Sequence, residues 1–276
     1  MINGSDRPFW TRRHFLCAAG AGLAALAAGR APAAAETQER EDLASVFKEQ
    51  GTEGTFVLYD AAAGRLVTVN GKRAETRFLA ASTFKIANSL IALETGVVKD
   101  ENEIIPYGGK PQPFKHWEKD MPMREAITIS AVPIYQELAR RIGIERYREW
   151  LEKLNYGNKN PGTAIERFWL DGPLEISAVE QAHFVAALAQ RKLPVSERAQ
   201  KIVRDILKIE VKDGRALFAK TGWAVAREPQ IGWWTGWVED GDKISAFALN
   251  IDMASVDDAR KRPEIGKAIM AKLGVY

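Results

Sequence analysis

The apolar residues of this chain change period twice, and the order of those changes limits the folds open to it. Gly54–Asp60 and Arg65–Asn70 read as short strands joined by the turn Ala61-Ala62-Ala63-Gly64. From Ser82 the spacing turns helical. One helix runs toward Gly96, a C′ residue; another pattern covers Met123 to about Leu154, broken at Gly143; two more cover Ser177–Gln190 and Ser196–Leu207. Residues 105–113 and Tyr156–Pro173 read as loop. Ala216–Trp223, Ile231–Glu239 and Lys243–Asp252 then return to strand character, the last two joined at Asp240-Gly241-Asp242. A helix from about Pro263 to Leu273 closes the chain, with the proline in its first turn. Strands at both ends that enclose a helical stretch pair most simply into one sheet. The expectation is an α+β fold: an antiparallel five-stranded sheet flanked by terminal helices, with a large helical subdomain inserted over about 82–207. The meeting of the two parts is the natural place for a cleft.

Residues 1–35 stand apart from this pattern. Thr11-Arg12-Arg13-His14-Phe15-Leu16 precedes an Ala/Gly/Leu stretch and small residues around Ala31–Ala35, the pattern of a cleaved twin-arginine export signal. The competing reading is a membrane anchor, for which Phe15–Gly29 is short and glycine-rich. This segment holds four of the 39 basic residues (Arg7, Arg12, Arg13, Arg30) and one of the 36 acidic ones (Asp6), so residues 36–276 carry no net formal charge. No basic stripe is left for a nucleic-acid partner. The single cysteine, Cys17, lies here too, so the exported chain has no thiol to oxidise and depends on packing. The expected product is periplasmic, without stable membrane association after cleavage, as a monomer or homodimer.

Ser82-Thr-Phe-Lys85 opens the first helical segment and sets a hydroxyl and an amine one turn apart. A serine hydroxyl needs a base in contact with it to act as a nucleophile near neutral pH. Histidine is scarce here: His14 lies in the export segment, and His116 and His183 read as packing or surface residues. Lysine is the available partner. Ser-x-x-Lys alone is common, roughly one match per chain of this length. Ser45-Val-Phe-Lys48 is a second match, read as part of an amphipathic N-terminal helix. Two downstream motifs set Ser82 apart from Ser45. Ser130-Ala-Val132 lies in the helical part, and Lys220-Thr221-Gly222 on a strand, where chance supplies it in fewer than about one chain in ten. No His-x-His or His-Glu-x-x-His pattern occurs, so no metal is expected.

Ser-x-x-Lys and Lys-Thr-Gly together resemble the penicillin-recognising serine enzymes. Ser130-Ala-Val132, Tyr156-Gly-Asn158, Phe168-Trp169-Leu170-Asp171-Gly172 and Ile231-Gly-Trp-Trp-Thr-Gly-Trp-Val238 resemble their class D branch, the oxacillinase-type β-lactamases. The resemblance extends over nearly all of residues 36–276 and implies a β-lactamase/transpeptidase-like fold that hydrolyses β-lactams and confers resistance. It implies that Ser82 forms an acyl-enzyme, with the N–H groups of Ser82 and Trp223 as oxyanion donors. Gly222 would let the substrate lie close to the strand. Ser130 and Lys220 would relay a proton to the leaving nitrogen, and Thr221 with Arg262 (or Arg260) would grip the substrate carboxylate. Lys85, buried among Phe84, Val132, Trp169 and Leu170, would react with CO₂ to become N6-carboxylysine and act as general base, stabilised by the Trp169 indole. CO₂ or bicarbonate is the only small molecule required. Trp117 either lines the cleft or caps the helical part, and Tyr156-Gly-Asn158 reads as a turn beside it. The runner-up is a penicillin-sensing domain that is acylated without turnover.

Overall fold

Apolar runs in the last third of the chain, buried on both faces, build the centre of a seven-stranded sheet. The computed structural model describes residues 36–276. Its elements begin with β1 (Thr37–Glu39), α1 (Ser45–Glu49), β2 (Gly54–Asp60), β3 (Arg65–Val69), α2 (Gly71–Glu75), β4 (Phe78–Leu79) and α3 (Lys85–Glu94). The helical part continues with β5 (Ile104–Ile105), β6 (Met121–Pro122), α4 (Met123–Thr128), α5 (Val132–Ile142), α6 (Ile144–Lys153), β7 (Glu175–Ile176), α7 (Ala178–Ala189) and α8 (Glu197–Leu207). Then come β8 (Lys208–Lys212), β9 (Arg215–Ala224), β10 (Gln230–Asp240), β11 (Lys243–Met253) and α9 (Lys261–Lys272). The export-signal reading falls on residues 1–35, outside the described residues. Among the described residues no helix is long and apolar enough to cross a membrane.

The strand order is β1-β3-β2-β11-β10-β9-β8, antiparallel except for the parallel pair β1–β3. Five of these strands match the expected sheet; β1 and β8 are additions at its two edges. β1 has three exposed residues, too few to show a period. β8 joins α8 with no turn residue between, and its apolar side chains Ile209 and Val211 are each 60% exposed, so no buried face marks it as a strand.

Alternation along β10 distributes its side chains to two cores. Trp234 and Val238 face one side, where Val46 and Phe47 of α1 and Ile265 and Ile269 of α9 cover the sheet. Gly266 of α9 is required there, because a Cβ would come within 2.3 Å of the Trp234 ring. Ser45 and Lys48 of α1 are exposed beside buried Val46 and Phe47, as an amphipathic helix requires. Trp233 faces the other side with Val57 and Ala248, covered by Ala178 and Ala182 of α7. That helix starts with a capping box between Ser177 and Glu180. Its position in the chain puts it within the helical insertion, yet it packs on the sheet, since its small alanines suit close contact with the strands. The remaining helices enclose a third core around Phe84, Leu90, Ile134, Leu138, Phe168 and Val203.

Candidate active site

Ser82 lies on a 3-10 turn, Ala81–Phe84, that runs directly into α3 at Lys85. In a 3-10 turn residues i and i+3 eclipse one another, which stacks the two side chains. Lys85 Nζ donates to Ser82 Oγ at 2.8 Å. Every residue of α3 from Lys85 to Leu93 is buried, so the helix carries its lysine into the interior. Burial first, and then the nearby Lys220 charge, hold the Lys85 amine well below the ordinary lysine range. Its Nζ lies 5.2 Å from the centre of the Tyr135 ring. Tyr135 and Ser89 hydroxyls are 2.9 Å apart, and Ser89 Oγ donates to the Lys85 carbonyl at 2.8 Å.

The loop before β7 braces this turn. Ala81 N donates to Trp169 O at 2.7 Å, and the Phe84 ring centre lies 5.7 Å from that of Trp169. Ala81 has φ 47°, a left-handed conformation that costs a non-glycine residue about 1–2 kcal/mol. Trp169 is fully buried, and its Nε1 meets no acceptor among the described residues.

A second pair stands opposite. Lys220 Nζ on β9 donates to Ser130 Oγ at 2.7 Å and to Thr221 O at 2.9 Å. Ser130 is itself left-handed (φ 61°) in the turn between α4 and α5. Burial, and then the Arg262 charge, bring the Lys220 amine down to about 7. Arg262 on α9 donates from Nη1 to Gly222 O at 2.5 Å and from Nε to Ala259 O at 2.9 Å; burial lowers it to about 10.

These elements enclose a cleft of about 560 Å³. Ser82, Ser130, Val132, Thr221, Gly222 and Trp223 line it, with Leu170 and Trp117 on its walls and Arg262 also at its edge. Lys85, Lys220 and Trp169 stand behind this lining. Arg260 is exposed and does not border the cleft. A half-buried hydroxyl held by one buried amine, facing a second hydroxyl held by another, suits acyl transfer with two proton carriers.

Comparison with known proteins bears on this geometry. A family model for the penicillin binding protein transpeptidase domain matches residues 54–271. β-Lactamase OXA-48 of Klebsiella pneumoniae is 41% identical over 248 residues, 90% of this chain and 94% of its own length. OXA-5 of Pseudomonas aeruginosa is 40% identical over 83% of this chain and 87% of its own. The crystal structure of FUS-1 (OXA-85), a class D β-lactamase from Fusobacterium nucleatum subsp. polymorphum, superposes with a TM-score of 0.83. It is 43% identical and covers 86% of this chain and 99% of its own. This chain belongs to the class D β-lactamases.

Within this β-lactamase the residues singled out from sequence fall into one neighbourhood. The Cβ position of Gly222 is crowded by Thr83 and Trp233 atoms at 3.2 Å. Glycine there lets β9 press on the turn that carries Ser82. Tyr156 is buried against Phe84 (5.5 Å between ring centres), and Asn158 Nδ2 donates to Pro173 O at 2.7 Å, so Tyr156-Gly-Asn158 is a buried turn. Trp117 lines the cleft and donates from Nε1 to Ile129 O at 3.1 Å. Tyr135 and Ser89 beneath Lys85 escape sequence reasoning, being indistinguishable there from core residues of amphipathic helices. His116, read as a packing or surface residue, is exposed in the cleft wall with Phe114.

Proposed function

We propose that this β-lactamase hydrolyses its substrates through an acyl-enzyme on Ser82, with Lys85 N-carboxylated, and that it is exported and confers β-lactam resistance. The observation that carries the lysine assignment is the buried Trp169 Nε1. An indole nitrogen is a donor only, and an ammonium or amine at Lys85 does not provide the anionic acceptor that a buried donor favours. A carboxylated lysine supplies an anionic oxygen there, able to accept that hydrogen bond and a proton. Burial keeps the Lys85 nitrogen free of a proton, the form that combines with CO₂.

The chain's own residues account for the remaining steps. Ser82 Oγ, relieved of its proton, bonds to the lactam carbonyl carbon. The oxyanion is placed toward the main-chain N–H groups of Ser82 and Trp223. As the C–N bond breaks, Ser130 gives its proton to the ring nitrogen, and Lys220, poised at about 7, replaces it. Thr221 and Arg262 hold the carboxylate; a guanidinium fork suits that group. Water then cleaves the Ser82 ester.

Two measurements test this reading. Enzyme stripped of CO₂ at low pH should lose turnover and regain it with bicarbonate; failure of bicarbonate to restore activity overturns the lysine assignment. Nitrocefin should turn over many times per enzyme, and one equivalent followed by silence would favour a sensor. The export proposal rests on Arg12 and Arg13: changing both to lysine should hold the precursor in the cytoplasm, and normal export overturns it.

A further inference from the structure

His116 is exposed on a 3-10 turn, Lys115–Trp117, that borders the cleft. Its ring is stacked on Phe114 (5.6 Å, 27° between planes) and meets Trp117 edge-on (6.0 Å, 82°). Phe114 and Trp117 also pack edge to face at 4.8 Å, and Trp117 is tied to Ile129 O at 3.1 Å. The imidazole is therefore held by a fixed aromatic wall, yet neither ring nitrogen meets a partner among the described residues. The hydrolytic steps on Ser82 make no use of it.

The place of this wall decides what the imidazole faces. Ile129 immediately precedes Ser130, so the wall adjoins the hydroxyl assigned to the leaving nitrogen. That nitrogen belongs to the fused ring of the substrate, which also carries the carboxylate assigned to Arg262 and Thr221. Substituents on the fused ring fall on this side. The acylamino side chain leaves from the lactam ring carbon beside the carbonyl.

Charged groups of the His116 turn and of the cleft lining are largely committed to partners. Lys115 pairs with Glu118 at 2.5 Å. Arg167 and Asp171, which also line the cleft, pair with one another. Arg262 is engaged with the Gly222 and Ala259 carbonyls and faces the substrate carboxylate. We propose that His116 is a specificity-determining residue, whose imidazole N–H favours β-lactams bearing an anionic, hydrogen-bond-accepting group on the fused ring over those bearing a neutral or cationic one. The proposal rests on the roles proposed for Ser130 and Arg262.

Three cephalosporins with one common aminothiazolyl-methoxyimino side chain test it. Their 3-substituents are a neutral acetoxymethyl, an acidic triazinedione thioether and a cationic N-methylpyrrolidinium. Second-order acylation constants are read by competition with nitrocefin, so slow turnover does not obscure them. At one fixed pH, His116→Ala should lower the anionic-to-neutral ratio about fivefold, the size of one exposed contact, and leave the cationic-to-neutral ratio within about twofold. His116→Lys, which returns an N–H donor, should recover the anionic-to-neutral ratio. An anionic-to-neutral ratio that His116→Ala leaves unchanged overturns the role of His116. If none of the three acylates the enzyme, the underlying site assignment fails instead.

Discussion

Ala81 donates its main-chain N–H to the carbonyl of Trp169 at 2.7 Å, so the tryptophan loop holds the turn that carries Ser82. The bond is made by backbone, and the indole is free for a separate task. Two functions of one residue are therefore separable by substitution.

Trp169→Phe should keep the backbone link and most of the packing with Phe84 and Phe168 (ring centres 5.7 and 5.0 Å) while deleting the indole N–H. Loss of one hydrogen bond to a charged group corresponds to roughly a 10- to 100-fold change. Deacylation should slow by that factor, acylation by less, and the bicarbonate needed for half-maximal activity should rise. Trp169→Ala should add instability by opening a cavity, roughly 3–5 kcal/mol. Equal loss of acylation and deacylation in the phenylalanine variant would count against the carboxylated-lysine role. Single-turnover kinetics resolve the two steps.

Ser82→Ala removes a half-buried hydroxyl and the acceptor of the Lys85 hydrogen bond. No acyl adduct should form, seen by intact mass after incubation with a penicillin, and kcat should fall on the order of 10⁶-fold, as for other serine nucleophiles. The far-UV spectrum should be unchanged. An adduct of substrate mass on this variant would place the nucleophile elsewhere.

Arg262 and Arg260, equivalent in spacing, are separated by burial. Arg262 reaches the cleft, and Arg260 lies exposed at the end of the preceding 3-10 turn. Arg262→Ala should raise KM about 10- to 100-fold, the cost of a charge-assisted carboxylate contact. Arg260→Ala should leave KM within about twofold, as exposed charges generally do. The reverse result in steady-state assays with benzylpenicillin would reassign the carboxylate contact.

Whether a residue's role is legible in the sequence depends on whether its signal is local. Ser82, Lys85, Ser130 and the Lys220-Thr-Gly strand are legible as one cluster because each belongs to a short motif, and the structure pairs Ser82 with Lys85 and Ser130 with Lys220. The inner strands are legible as short apolar runs bounded by turn residues, buried on both faces as Trp233, Trp234, Trp237 and Val238 show. β8 is not, since Ile209 and Val211 bury nothing. The place of α7 is not, because Ala178 and Ala182 name no partner by themselves. Tyr135 is remote from Lys85 in sequence, and only the packing of α5 on α3 brings the ring to the amine. Gly222 is legible as a glycine requirement, but which neighbour crowds it is a tertiary fact.

Lys220 supplies a prediction about stability rather than rate. It is 5% exposed and titrates near 7 in the folded enzyme, held down first by burial and then by Arg262. In the unfolded chain a lysine titrates near about 10.4. Between those values the unfolded state binds a proton that the folded state does not, so stability increases with pH across the interval. Below about 7 the folded protein must bury an ammonium, and the penalty is then fully expressed. Lys85, also lowered by burial, acts with the same sign. Tm should therefore climb between pH 7 and pH 9, and Lys220→Met should climb less, because the buried Lys220 amine is gone. Differential scanning calorimetry at matched ionic strength gives both slopes. Equal slopes in the unaltered enzyme and in Lys220→Met would show that Lys220 keeps its proton in the folded state across this interval, and would remove the basis for its handing a proton to Ser130 at neutral pH.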